Sequence, residues 1–319
     1  MVQGRDLEIV ATLGPASWDF IPPLLEAGTT AFRLNASHMA VPELARRAAA
    51  IRSEAPGCRL VVDLQGAKMR LGHFVAHEVR TGGQVRFSLR GNEDTIPLPH
   101  REIFQSIRSG ETLSCDDDRL RFRTELVGVD MLNTVVLVGG ILQPRKGVNV
   151  LEHPVSLRDI SEFDLECIQV TADLDGITFA YSFMSDGRES PWIRQRRPGC
   201  AVIGKVERRE AIENLASIAR AVESVWICRG DLGAQLGSAA MARWISEFNP
   251  CAQPCPVLMA GQVLEHLTTH ATATRSEVCH LYDLIARGYA GFVLSDETAI
   301  GADPIRAVST LHHLITAFQ

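Results

Sequence analysis

Short runs of apolar, β-favouring residues recur along the chain at 8–13, 30–34, 60–64, 176–182, 201–206, 224–228, 256–260 and 291–294. They are apolar almost without alternation, the pattern of parallel strands covered on both faces. Stretches of helical period lie between most of them. Ile212, Leu215, Ala219 and Val222 fall three or four apart and lay one stripe along a helix face. Near the end, Asp303 stands at a cap position and Pro304 at the first helical position. Ile305, Val308, Leu311, Ile315 and Phe318 then follow on one side. Eight strand–helix units in series predict an α/β fold, a (β/α)8 TIM barrel.

One stretch breaks the alternation. Between 72 and 152 no long helical stripe occurs, only strand-like pieces at 78–80, 84–89, 120–127 and 133–138 separated by turn-rich segments such as 90–94. This reads as a small β domain inserted after the third strand, with the barrel spanning 1–72 and 153–319 and the insert 73–152. Without roughly 80 inserted residues about 240 remain, close to the usual size of one such barrel.

Composition narrows the function classes. The 319 residues are 46% hydrophobic and 22% charged, with a net charge of −6. That balance argues against a basic nucleic-acid footprint. No apolar run approaches the roughly 20 residues needed to cross a bilayer. The N-terminus enters a strand with no signal-peptide pattern, so a cytoplasmic location is expected. The eight cysteines are scattered, Cys251 and Cys255 being the only close pair, and read as reduced thiols.

In such a barrel, chemistry gathers at the C-terminal ends of the strands, and here those ends are polar. The second strand runs into Arg33, Asn35, Ser37 and His38, and the third into Asp63, Lys68 and Arg70. The fifth carries Lys205 and Glu207, the sixth runs into Arg229-Gly230-Asp231, and the eighth into Ser295-Asp296-Glu297. Residues two apart on a strand face the same side, so Lys205 and Glu207 project together. Any one of these residues alone reads as a salt bridge or cap. Together, two carboxylates that suit a hard divalent cation and three cations that suit a phosphorylated anion are an apparatus for phosphoryl transfer.

At these residues the sequence resembles the pyruvate kinase family. Its opening strand and turn are similar to Glu8-Ile-Val-Ala-Thr-Leu-Gly-Pro-Ala-Ser17. Further motifs follow in the family's order: Arg33-Leu-Asn-Ala-Ser-His38, Asp63-Leu-Gln-Gly-Ala-Lys-Met-Arg70, Arg145-Lys-Gly-Val-Asn149, Gly204-Lys-Val-Glu207, Arg229-Gly-Asp-Leu-Gly233, Thr274-Arg-Ser-Glu-Val278 and Leu294-Ser-Asp-Glu-Thr-Ala299. The resemblance implies a cytoplasmic glycolytic enzyme that transfers the phosphoryl group of phosphoenolpyruvate to ADP, giving pyruvate and ATP through a metal-bound enolate. It implies that Glu207 and Asp231 ligate Mg2+ or Mn2+. Lys205 would stabilise the transferring group and the enolate, and Arg33 and Arg70 would face phosphate. The backbone around Gly230 and Asp231, with Gly261 opposite, would take the substrate. Asn35, Ser37, Asp63 and the Leu64 carbonyl match a monovalent-cation site. His38 and Lys146 match nucleotide contacts, with the insert closing over the barrel rim.

The sequence also departs from the family. Lys68 stands where most members have glutamate, so a fixed ammonium supplies charge that K+ otherwise brings, and activity is expected not to require K+. Gly261 replaces a threonine of the family's seventh-strand motif, and Ser182-Phe-Met-Ser185 has a serine where arginine is usual. The insert is shorter than the family's, and its acidic run reads Cys115-Asp-Asp-Asp-Arg119. The chain ends at Gln319, after the eighth barrel helix, where the family continues into an effector-binding domain. A monomer, or a homodimer through barrel helices, is therefore expected. Two further readings share the site: a metal-dependent pyruvate-enolate lyase, aldolase or oxaloacetate decarboxylase, and a weakly active homologue.

Overall fold

The computed structural model describes residues 6–116, 118–153 and 155–318. Eight parallel strands close a barrel: β1 (Glu8–Thr12), β2 (Ala31–Asn35), β3 (Arg59–Leu64), β4 (Ile177–Tyr181), β5 (Ala201–Val206), β6 (Ser224–Cys228), β7 (Val257–Ala260) and β8 (Gly291–Leu294). Each pairs with its neighbours in sequence order, and β8 returns to β1. The expected α/β barrel is the observed fold.

Helices follow the strands as their sequences dictate. The last one, Pro304–Phe318, is capped by the Asp303 carboxylate, which accepts the Arg306 backbone N–H at 2.9 Å. The stripe expected after β5 is interrupted at Asn214, which separates helices Arg209–Glu213 and Leu215–Ala221; Leu215, Ala219 and Val222 are buried as expected, and Ala211 is buried in place of Ile212. No helix among the described residues is long and apolar enough to cross a membrane.

Alternation along the strands builds the barrel interior. Val10, Ala31, Val61, Ala180, Ile203, Trp226, Leu258 and Val293, one from each strand, join a single buried cluster. The large Trp226 is accommodated because Ala31 and Ala180 are small. Two residues further along five of these strands stand Thr12, Arg33, Asp63, Ser182 and Lys205, all buried. The interior thus changes from apolar to charged within one step of the pleat.

The chain divides into two compact units, 1–66 with 159–319, and 67–158. The expected boundaries at 72/73 and 152/153 lie about six residues inside these limits. Met69 and Leu71 are buried in the core of the second unit with Phe87, Leu113 and Phe122, and Val155 and Leu157 pack against it. The Leu71 N–H donates to the Lys146 carbonyl, and the Val148 N–H to that of Met69. A six-stranded sheet and a two-stranded one form this unit. Beyond the expected pieces it contains strands Ile96–Pro97, Thr112–Cys115, Gly140–Leu142 and Val148–Val150, and the short helix Arg101–Ser106.

In this unit the His100 Nε2 lies 2.8 Å from the Arg70 N–H and 2.9 Å from the Arg70 carbonyl oxygen. Burial, aided by the Arg145 charge, pulls His100 down to about 4 from an ordinary 6.5. The folded state therefore refuses a proton that the unfolded chain accepts. Stability is full above pH 6.5 and is lost as pH falls toward 4, by up to about 3 kcal/mol. Urea unfolding followed by circular dichroism should show a smaller loss over this range for His100→Gln than for the parent protein.

Candidate active site

The charged layer at the C-terminal end of the barrel centres on Asp63. Its Oδ2 accepts from Arg33 Nε at 2.8 Å and from a second guanidinium nitrogen at 2.5 Å, and lies 3.0 Å from Lys205 Nζ. Arg33 also donates to Thr12 Oγ1 at 2.9 Å. Lys205 Nζ lies 3.0 Å from Glu207 Oε1 and donates to Ser182 Oγ at 2.8 Å. The other Glu207 oxygen accepts the Phe183 backbone N–H at 2.7 Å. Phe183 holds φ +57, a left-handed conformation that turns its N–H toward this carboxylate.

These groups titrate as a set. Burial would raise Asp63, but Lys205 and Arg33 outweigh it and hold its carboxyl below the usual range. Burial would lower Lys205, yet Asp63 and Glu207 hold its ammonium far above the ordinary lysine range. Glu207 goes the other way: burial pushes it up, Lys205 opposes, and the charges of Asp231 and Asp63 push it further. Glu207 therefore lacks a counter-charge that Asp63 possesses.

Asp231 lies in the first turn of helix Arg229–Leu236, directly after β6. Its N-cap residue, Cys228, makes no side-chain capping bond. Glu207 and Asp231 offer only carboxylate oxygens, and no group of three or more His, Cys, Asp or Glu among the described residues gathers as a metal cluster. A two-carboxylate set with surplus negative charge fits a hard divalent cation that keeps most of its coordination for water and substrate.

The other expected residues divide between the two units. Asn35 caps the turn Ala36–His38, its Oδ1 accepting the Ser37 N–H at 3.2 Å, and His38 is exposed at the end of that turn. The Leu64 carbonyl accepts from Ser182 Oγ at 2.8 Å. Lys68, Arg70 and Lys146 lie in the second unit. There Arg70 donates to the Arg145 carbonyl at 2.9 Å, Lys146 Nζ is 2.8 Å from Asp116 Oδ1, and Lys68 is half-buried.

Gly261 follows β7 with φ +81, and Gln262 has φ +54. Arg229 holds this turn by donating to the Gly261 carbonyl at 2.7 and 2.9 Å and to the Gln262 carbonyl at 2.6 Å. A Cβ at Gly261 would meet nothing nearer than the Gly230 nitrogen at 3.8 Å. Backbone conformation, rather than space, disfavours a side chain there.

Sequence reasoning selected Asp63, Lys205 and Glu207 but passed over Thr12 and left Ser182 outside the site. Both were accessible through the two-residue period, since each lies two positions beyond an interior alanine or valine. Glu297 is likewise fully buried; its carboxylate accepts the Leu264 N–H at 3.1 Å and the Ser295 N–H at 2.7 Å, joining the turns after β7 and β8.

Lys205→Met would leave Asp63 and Glu207 buried without their shared cation. Urea unfolding should show a loss of about 3–5 kcal/mol at neutral pH. The loss should shrink on acidification, because protonating the two carboxylates in the folded state relieves it.

Residues 4–308 match the family model described as pyruvate kinase, barrel domain. A pyruvate kinase of Agrobacterium vitis is 35% identical over 98% of this chain and 68% of its own length. That of Thermococcus litoralis is 30% identical over 95% of this chain and 68% of its own. One from Mycobacterium tuberculosis is 29% identical over 98% and 70%.

Proposed function

Because the chain belongs to the pyruvate kinase family of phosphotransferases, we propose that it transfers the phosphoryl group of phosphoenolpyruvate to ADP at the charged end of the barrel. The observation that carries this reading is Lys205 Nζ, fixed 3.0 Å from both Asp63 and Glu207, with Asp231 acting on Glu207 from the first turn of the helix after β6.

Lys205 stays protonated beside two carboxylates, so it serves as a fixed positive charge rather than a base. Its role is to oppose the negative charge that grows on the phosphoryl and enol oxygens as the bond between them breaks. Arg33, donating through two nitrogens to the one Asp63 Oδ2, keeps a second cation at the same end, suited to an anionic substrate. The N–H groups at the start of helix Arg229–Leu236, which no Cys228 side-chain bond caps, suit the substrate carboxylate. Mg2+ or Mn2+ held by Glu207 and Asp231 would supply Lewis-acid stabilisation of the enolate and phosphoryl oxygens. His38 and Lys146 are the proposed nucleotide contacts. With no hydroxyl at position 261, the proton that completes pyruvate comes from water or another donor.

The vacant side-chain position at Gly261 favours one second reading, enolate chemistry on pyruvate or oxaloacetate without phosphoryl transfer. A coupled assay with phosphoenolpyruvate, ADP and Mg2+, run beside deuterium exchange at the pyruvate methyl group, separates the two. Phosphoryl transfer is the expected result. Exchange without transfer would replace the kinase reading.

The Asp63 carboxylate already binds two fixed cations, which leaves little electrostatic demand for a third. Activity should therefore persist when K+ is replaced by tetramethylammonium at equal ionic strength, and a severalfold rise on adding K+ would refute this.

A further inference from the structure

Asp164 is fully buried yet has no part in the chemistry described above. It occupies the first turn of helix Glu162–Val170, where Ser161 Oγ accepts the Asp164 N–H at 3.1 Å. Its two oxygens reach back 99 and 98 residues: Oδ1 accepts the Gln65 N–H at 2.8 Å and Oδ2 the Gly66 N–H at 2.9 Å.

The Gln65 N–H and the Leu64 carbonyl belong to one planar peptide unit. Asp164 grips this unit by its N–H, and Ser182 Oγ grips it by its oxygen at 2.8 Å. The same Ser182 oxygen accepts from Lys205 Nζ at 2.8 Å. A hydroxyl has a single proton, so committing it to the Leu64 carbonyl or to Asp63 Oδ1, 3.1 Å away, leaves the lone pairs for Lys205. Gly66 completes the clasp. It has φ +59, and a Cβ there would meet the Ser182 carbonyl oxygen at 2.1 Å, so this turn lies directly against the Ser182 backbone.

We propose that Asp164 is a positioning residue for Lys205, acting by fixing the Leu64–Gln65 peptide and through it the orientation of the Ser182 hydroxyl. The proposal rests on Lys205 being the charge that serves the reaction, as argued above. Burial, with the Asp63 charge adding a little, pushes Asp164 up to about 7, against the pull of the Gly66 N–H, Ser161 and the Gln65 N–H. A neutral side chain would avoid that cost. Asparagine, however, accepts through one atom only and would turn its amide toward a second donor.

The test is a double-mutant cycle of Asp164→Asn and Ser182→Ala, assayed at about pH 8, where Asp164 is ionised. Asp164→Asn should lower kcat about tenfold or more with KM within about twofold. It should add little once Ser182→Ala is present, because both act through one hydroxyl. Additive effects, or a change confined to KM, would overturn the proposal in favour of a purely structural staple. A second readout is independent of turnover: the 15N nuclear magnetic resonance signal of the buried Lys205 ammonium, which reports its hydrogen-bond partners. That signal should shift in Asp164→Asn and in Ser182→Ala, and no further in the double variant, and an unmoved signal in Asp164→Asn would overturn the proposal. Should the parent protein transfer no phosphoryl group, the functional reading fails alone, and the ammonium signal still decides the role of Asp164. If Asp164→Asn does not fold, Ser161→Ala, which loosens the same helical turn, takes its place in both arms with the same expected and refuting results.

Discussion

A lysine ammonium in the interior of a barrel persists only where carboxylates surround it, and the arrangement around Lys205 follows from that requirement. Asp63 and Glu207 flank the nitrogen, yet each is itself buried and needs compensation. Asp63 finds it in Arg33, which is in turn steadied by Thr12. Glu207, beyond the shared Lys205, accepts a backbone N–H and faces the further negative charge of Asp231. Two cations against three carboxylates leave a surplus of negative charge on the β5–β6 side. That asymmetry distinguishes the cluster from a balanced structural ion pair, and the proposed divalent cation and anionic substrate rest on it.

The barrel was legible because its signal is repeated eight times. Apolar runs without alternation, most of them followed by a helical stripe, admit few other architectures, and all eight strands occupy the expected positions. The insert was less legible. Its strands are short and several face solvent on one side. Thr112–Cys115 and Val148–Val150 carry too few residues for a period to emerge, and they exist because they pair with each other. The limits of the insert are hard to read from sequence for a related reason. Met69, Leu71, Val155 and Leu157 are apolar residues whose choice between two cores is decided by three-dimensional packing, which no local pattern encodes.

Among the site residues, those on strands could be reached by counting in twos from an apolar interior position. Lys205 and Glu207 were found that way, and Thr12 and Ser182 could have been. Asp164 could not. In sequence it is an ordinary residue of a Ser-x-x-Asp helix start, and only the closed barrel shows its carboxylate meeting a turn almost a hundred residues away. The left-handed backbone at Phe183 and Gln262 was equally invisible, since neither residue type signals it. Both conformations cost energy locally, and both are held by polar contacts of the site: the Phe183 N–H on Glu207, and the Gln262 carbonyl on Arg229.

The insertion also bears on how the chain acquires this structure. β3 and β4 are adjacent strands of the barrel, yet Asp63 and Ser182, which meet at their ends, are 119 residues apart in sequence. Bringing them together from an unstructured chain means closing a long loop before any contact between them rewards it. The inserted segment has a buried core of its own, built from Phe87, Leu113, Phe122 and their neighbours. Once that core forms, the loop ceases to be a hundred flexible residues and becomes two short arms on a folded body. Early collapse of the insert therefore lowers the entropic barrier to joining the two halves of the barrel, and slow maturation of the insert would delay the assembly of Asp63, Ser182 and Lys205.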